Sequence, residues 1–148
     1  MQMPFERYEA GGRRLLGKPP GGDGSSRRGY GLAVFVQCGF TCVYCGYEMA
    51  DAYEAWLNLS IDHVIPAGDG RRLSYPPEWI EDVANLVTCC RACNEFLNGY
   101  RVSDAAPPTV EKFFDLRDAH FERKREWVIA RHATERAWYD KSRRQPAQ

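Results

Sequence analysis

Leu59-Ser60-Ile61-Asp62-His63-Val64-Ile65-Pro66 and Asn85-Leu86-Val87-Thr88-Cys89-Cys90-Arg91-Ala92-Cys93-Asn94 decide the fold of this chain. The first stretch reads as a strand over 59–65, with Pro66 stopping it because proline cannot donate to a sheet ladder. In the second, Leu86-Val87-Thr88 reads as a short strand. Residues 91–98 then read as a helix that Gly99 can close. Between the strands, Ala67-Gly68-Asp69-Gly70 has the composition of a loop. Pro76-Pro77-Glu78 opens a short helix carrying Trp79, Ile80 and Val83, since proline fits the first helical turn. The order is strand, loop, strand, helix, which predicts an α+β unit.

Upstream, residues 48–58 predict a helix, with Met49, Ala52, Tyr53 and Trp56 on one face. Residues 30–38 are ambiguous. Val34-Phe35-Val36 favours a strand, yet Gly39 suits the residue that ends a short helix. Residues 1–29 read as an irregular, flexible basic arm, with Gly11-Gly12, Pro19-Pro20-Gly21-Gly22 and four arginines at 13, 14, 27 and 28. Downstream, Pro107-Pro108 makes a stiff break. A long amphipathic basic helix is expected over 109–145, its clearest part ending near Lys141, with Thr109 as N-cap. Phe114, Phe121 and Val128 form its apolar stripe, beside Phe113, Leu116, Trp127 and Trp138.

Composition narrows the classes. The chain has 148 residues, 44% hydrophobic and 13% aromatic, which suits one globular domain, alone or with an appended helix, and is too apolar for a disordered chain. No apolar run approaches the roughly 20 residues of a membrane helix. The first thirty residues lack the apolar region of a secretory signal, so a cytoplasmic location is expected. Net charge is zero but uneven. Residues 1–31 balance to +3, residues 32–108 to −6 and residues 109–148 to +3. A nucleic acid would find phosphate contacts on the arms, whereas the acidic middle would need a bound cation to approach phosphate.

Six cysteines in a reducing compartment favour metal binding over disulfides. Four of them form two Cys-x-x-Cys pairs, Cys42/Cys45 and Cys90/Cys93, the arrangement that aims two tight turns of thiolates at one Zn2+. Four thiolates leave no open position for water, so this zinc is structural. Cys38 and Cys89 remain as buried small hydrophobes. Of the three histidines, His120 and His132 are expected on the charged surface of the C-terminal helix. His63, beside Asp62 at the end of an apolar strand, is the candidate for chemistry.

Four motifs occur in order: Cys42-Val43-Tyr44-Cys45-Gly46, Asp62-His63-Val64-Ile65-Pro66, Asn85-Leu86-Val87 and Cys90-Arg91-Ala92-Cys93-Asn94. Together they resemble the HNH endonuclease family. The resemblance implies a ββα-metal core stapled by a four-cysteine zinc site, with the nuclease domain over 30–102. It implies DNA as partner and metal-dependent hydrolysis of phosphodiester bonds. His63 would be the general base. Asp62 and Asn94 would hold one catalytic Mg2+ or another divalent cation, and Asn85 would brace the loop that orients His63. These residue types suit the task. Histidine titrates near neutral pH, and a carboxylate with an amide oxygen offers hard ligands to a hard cation. Strict strand alternation would send Asp62 and His63 to opposite faces, so both reach one site only where the strand twists or ends.

The basic residue common after the last motif is replaced here by Glu95-Phe96-Leu97-Asn98, which shifts phosphate contact to Arg91 or Arg101. The alternative reading is a non-catalytic zinc module that binds nucleic acid or protein. In the C-terminal helix, acidic residues interleave with the basic ones, favouring docking of the apolar stripe on the core over a helix laid along DNA.

Overall fold

A computed structural model describes Arg27, Gly29 and residues 31–144. The rest of the basic arm over 1–29 lies outside the described residues. Arg27 itself reaches the core, donating to the Leu57 carbonyl at 2.8 Å and stacking over the Trp56 ring.

The sheet has two antiparallel strands, β1 (Leu59–His63) and β2 (Leu86–Cys90). Their register pairs Leu59 with Cys90 and His63 with Leu86. A short helix, α1 (Leu32–Gln37), precedes the sheet and resolves the ambiguity at 30–38 in favour of helix. Gly39 follows it at φ +60°, a left-handed conformation that glycine adopts without strain. Next comes the one-turn helix α2 (Tyr53–Trp56). The helix expected over 48–58 is therefore cut short at its front. Residues 41 and 48 form a bridge, and the Met49 amide donates to Phe40. The hairpin around the first cysteine pair claims those positions.

Between the strands lie α3 (Ala67–Arg72) and α4 (Pro77–Ile80), then a 3-10 turn at Val83–Asn85. Ala67-Gly68-Asp69-Gly70 is helical rather than a loop. Gly70 serves close packing there: a Cβ on it would sit 2.7 Å from Ile80 Cδ1. The buried Asp69 carboxylate accepts from Arg72 and from the Val102 amide, tying α3 to the chain beyond the sheet. Helix α5 (Arg91–Phe96) follows β2 directly and passes into a 3-10 turn at Leu97–Gly99. β1, β2 and α5 make the ββα unit of an α+β domain.

The last element is α6 (Val110–Arg143), started by Thr109, whose hydroxyl accepts from the Lys112 amide. Phe113, Phe114, Phe121 and Val128 are buried against the core, so the apolar stripe docks on it. Three polar residues share that buried face: Arg117, His120 and Lys124. His120 is thus inside, correcting its expected surface position. Trp127 and Trp138 remain largely exposed. Cys89 is fully buried, whereas Cys38 is only half-buried. Among the described residues no helix is long and apolar enough to cross a membrane.

Candidate active site and zinc centre

The thiols of Cys42, Cys45, Cys90 and Cys93 all lie within 4.8 Å of one another. Each pair sits on a turn built for it. The Gly46 amide donates to the Cys42 carbonyl, and Gly46 takes φ +77°, which closes the first turn. The Val43 amide donates to Thr88, pinning that turn to β2. The second pair spans the junction of β2 and α5. Cys45 Sγ and Cys90 Sγ are 3.8 Å apart. A tetrahedron with metal–sulfur bonds of about 2.3 Å has an edge of about 3.8 Å, so the donor set and spacing fit zinc.

Crowding splits the thiol acidities. Hydrogen bonds from Cys45, Cys90 and Cys93 push Cys42 far down, while the contact with Cys42 pushes Cys45 and Cys93 up. At Cys90 the contact with Cys42 raises the value, but those with Cys45 and Cys93 outweigh it and bring it to about 7. Cys42, and to a smaller extent Cys90, are therefore the thiols of the cluster that ionise most readily. His132 of α6 adjoins it, half-buried, with Nε2 3.3 Å from Cys93 Sγ. This too departs from the expected surface position.

A cleft of about 530 Å³ opens beside the sheet. Asp62, His63, Asn94, Arg72, Arg101 and Lys124 line it. The alternation conflict is resolved because β1 ends at His63, so both Asp62 and His63 border the cleft. The Asp62 carboxylate is nearly buried and accepts the Tyr44 hydroxyl at 2.5 Å. Burial, with the Asp62 charge added, lifts the Tyr44 phenol well above its ordinary range and keeps it a donor. Lys124 Nζ completes the surroundings, 3.0 and 2.8 Å from the two Asp62 oxygens. His63 Nε2 lies 3.3 Å from Glu81 Oε2. Asn94 donates from Nδ2 to Ser60 Oγ at 2.7 Å, which leaves Oδ1 as the acceptor of that amide.

Asn85 is fully buried behind the cleft. Its Oδ1 accepts the Ile65 amide, and its Nδ2 donates to the carbonyls of Ile65 and Ile80. Arg101 borders the cleft and is held by the Asn98 and Tyr100 carbonyls. Arg91 is exposed and does not line it. The geometry thus gathers Asp62, His63, Asn94 and Arg101 and sets Asn85 and Arg91 apart.

Residues 42–97 match the family model described as HNH endonuclease. This stretch is the HNH-like region of the chain. No curated protein and no solved structure matches the chain. The matched segment contains both cysteine pairs and the whole ββα unit, and it supports a nuclease-family role. Tyr44, Glu81 and Lys124 are partners of the HNH cleft that reading the sequence misses. Lys124 left a signal: it falls between Phe121 and Val128 at helical spacing, on the face that docks.

Proposed function

We propose that the chain is a metal-dependent endonuclease that hydrolyses DNA phosphodiester bonds. The observation that carries this reading is that His63, Asp62 and Asn94 line one cleft of an HNH domain. Asp62 and Asn94 are hard oxygen donors that would hold a divalent cation such as Mg2+. When bound, that ion supplies positive charge against the phosphate and its departing oxygen.

The remaining steps belong to the protein. A carboxylate only accepts, so the contact with Glu81 places the proton of neutral His63 on Nε2. Nδ1 is then the basic nitrogen and takes the proton from the attacking water. Glu81 stabilises the imidazolium that results. Asn85 fixes the turn after His63 by clasping both polar groups of the Ile65 backbone. Arg101, and Arg72 beside it, give the acidic middle of the chain a positive rim for phosphate.

Supercoiled plasmid tests the reading. Zinc-loaded protein with Mg2+ or Mn2+ is expected to nick or linearise it, and His63→Ala to be slower by roughly 10²–10⁴-fold. Wild-type rates in that variant would remove His63 from the mechanism. A second reading, a zinc module that binds without cutting, draws support from the occupied state of Asp62, whose charge Lys124 already balances. Metal-dependent cleavage lost with His63 would dismiss it.

A further inference from the structure

Lys124 is a buried charge that the proposed mechanism leaves unused. Its residue is 1% exposed, deep in the face of α6 that meets the cleft. An ammonium has three N–H donors. Three acceptors meet them: Asp62 Oδ1 at 3.0 Å, Asp62 Oδ2 at 2.8 Å and the His63 carbonyl at 2.8 Å. The Tyr100 ring covers Nζ at 5.5 Å. No donor is left over for a phosphate, which separates Lys124 from the partly exposed Arg72 on the same cleft.

Asp62, in turn, already accepts from two cationic N–H groups and from the Tyr44 hydroxyl. A carboxylate so neutralised attracts a second cation weakly, and two positive charges on one carboxylate repel strongly where water is scarce. The lysine is not loosely placed. One turn before it, His120 is bonded to the Tyr100 hydroxyl and to Asp104, and two turns after it His132 meets Cys93.

We propose that Lys124 is an internal cation competing with the divalent metal for the Asp62 carboxylate, so that α6 sets how readily the site loads. The inference rests on Asp62 being the carboxylate ligand of the proposed nuclease. Lys124 is a positioning residue here, acting on the site through Asp62. The resting protein then binds the metal weakly, and loading requires the ammonium to release at least one carboxylate oxygen.

The test is Mn2+ binding to the full-length, zinc-loaded protein, with free ion counted by electron paramagnetic resonance. Lys124→Gln keeps an N–H donor and removes the charge, and Lys124→Met removes both. The expected result is Mn2+ affinity raised by at least about tenfold in Lys124→Gln, with the gain abolished when Asp62→Asn is added. Unchanged affinity in Lys124→Gln, with binding still lost in Asp62→Asn, overturns the inference and leaves the nuclease reading standing. Binding indifferent to Asp62→Asn in both backgrounds overturns the inference together with the assignment of Asp62. Zinc content and circular dichroism check that the variants fold. Should neither lysine variant fold, the wild-type Lys124 ammonium is followed by NMR during Mg2+ titration. A shifted or exchanging signal supports competition, and an unchanged one overturns it.

Discussion

Asn85→Ala offers the sharpest test of how the cleft is held. The side chain is fully buried and makes three hydrogen bonds to main-chain groups: 2.9 Å from the Ile65 amide, 3.1 Å to the Ile65 carbonyl and 2.9 Å to the Ile80 carbonyl. Alanine leaves one donor and two acceptors buried without partners. Each such group costs about 1–3 kcal/mol, and local relaxation recovers part of the sum, so a net loss of about 3–5 kcal/mol is expected. In urea, with zinc held constant, this moves the midpoint down by roughly 2 M for a slope near 2 kcal/mol/M. Asn85→Asp separates polarity from geometry. Its carboxylate can accept the Ile65 amide but faces two carbonyl oxygens, so it should be at least as damaging as alanine. A loss below about 1 kcal/mol in Asn85→Ala would refute the reasoning, because no buried polar clasp of this kind can be removed so cheaply.

Other outcomes follow from the same structure. Cys90→Ser should lose zinc and cooperative unfolding together, since metal binding and folding are coupled in a four-thiolate site; a folded, zinc-free variant by metal analysis would contradict this. His120 titrates below its ordinary 6.5 because burial disfavours its charge, an effect that the Asp104 contact only partly offsets. The unfolded chain then binds the proton more readily, so stability is present above about 6.5 and falls as pH drops through that value. Comparing urea midpoints of wild type and His120→Gln at about pH 7.5 and about pH 5.5 should show the larger acid loss in wild type. Equal losses would show that His120 does not contribute. Glu81→Gln should slow plasmid cleavage about tenfold, the worth of one hydrogen bond to a charged group at about 1.5 kcal/mol, while leaving Mn2+ binding unchanged. A variant as fast as wild type would remove Glu81 from the mechanism.

The sheet, α5, the cysteine cluster and α6 were legible because each is written in short-range pattern. Leu59 to Ile65 and Leu86 to Thr88 read as strands, Cys-x-x-Cys reads as a turn, and Thr109 announces a helix. What escaped was written in pairings distant along the chain. Lys124 is buried because Asp62 and the His63 carbonyl await it. His120 is buried because Tyr100 and Asp104 satisfy both of its nitrogens. A charged residue on a helix gives no local sign that it will meet such partners, so composition assigns it to the surface. The helical state of Ala67-Gly68-Asp69-Gly70 was hidden differently. Its glycines suggest a loop, and only the closeness of Ile80 shows why Gly70 must lack a side chain. The front of the 48–58 segment was lost to the bridge between Thr41 and Glu48, which no helical periodicity reveals.

Lys124 also bears on where this protein can be cut. The family match ends at residue 97, yet α6 lies beyond it and supplies the counter-ion of Asp62 and the Phe121 ring that packs on Tyr44. A fragment stopping at residue 97 would expose the surface that Phe113, Phe114, Phe121 and Val128 cover and would lose the ammonium that balances Asp62. The smallest piece worth expressing therefore extends past Val128. Transplanting residues 42–97 into another scaffold would leave behind the ammonium that balances Asp62.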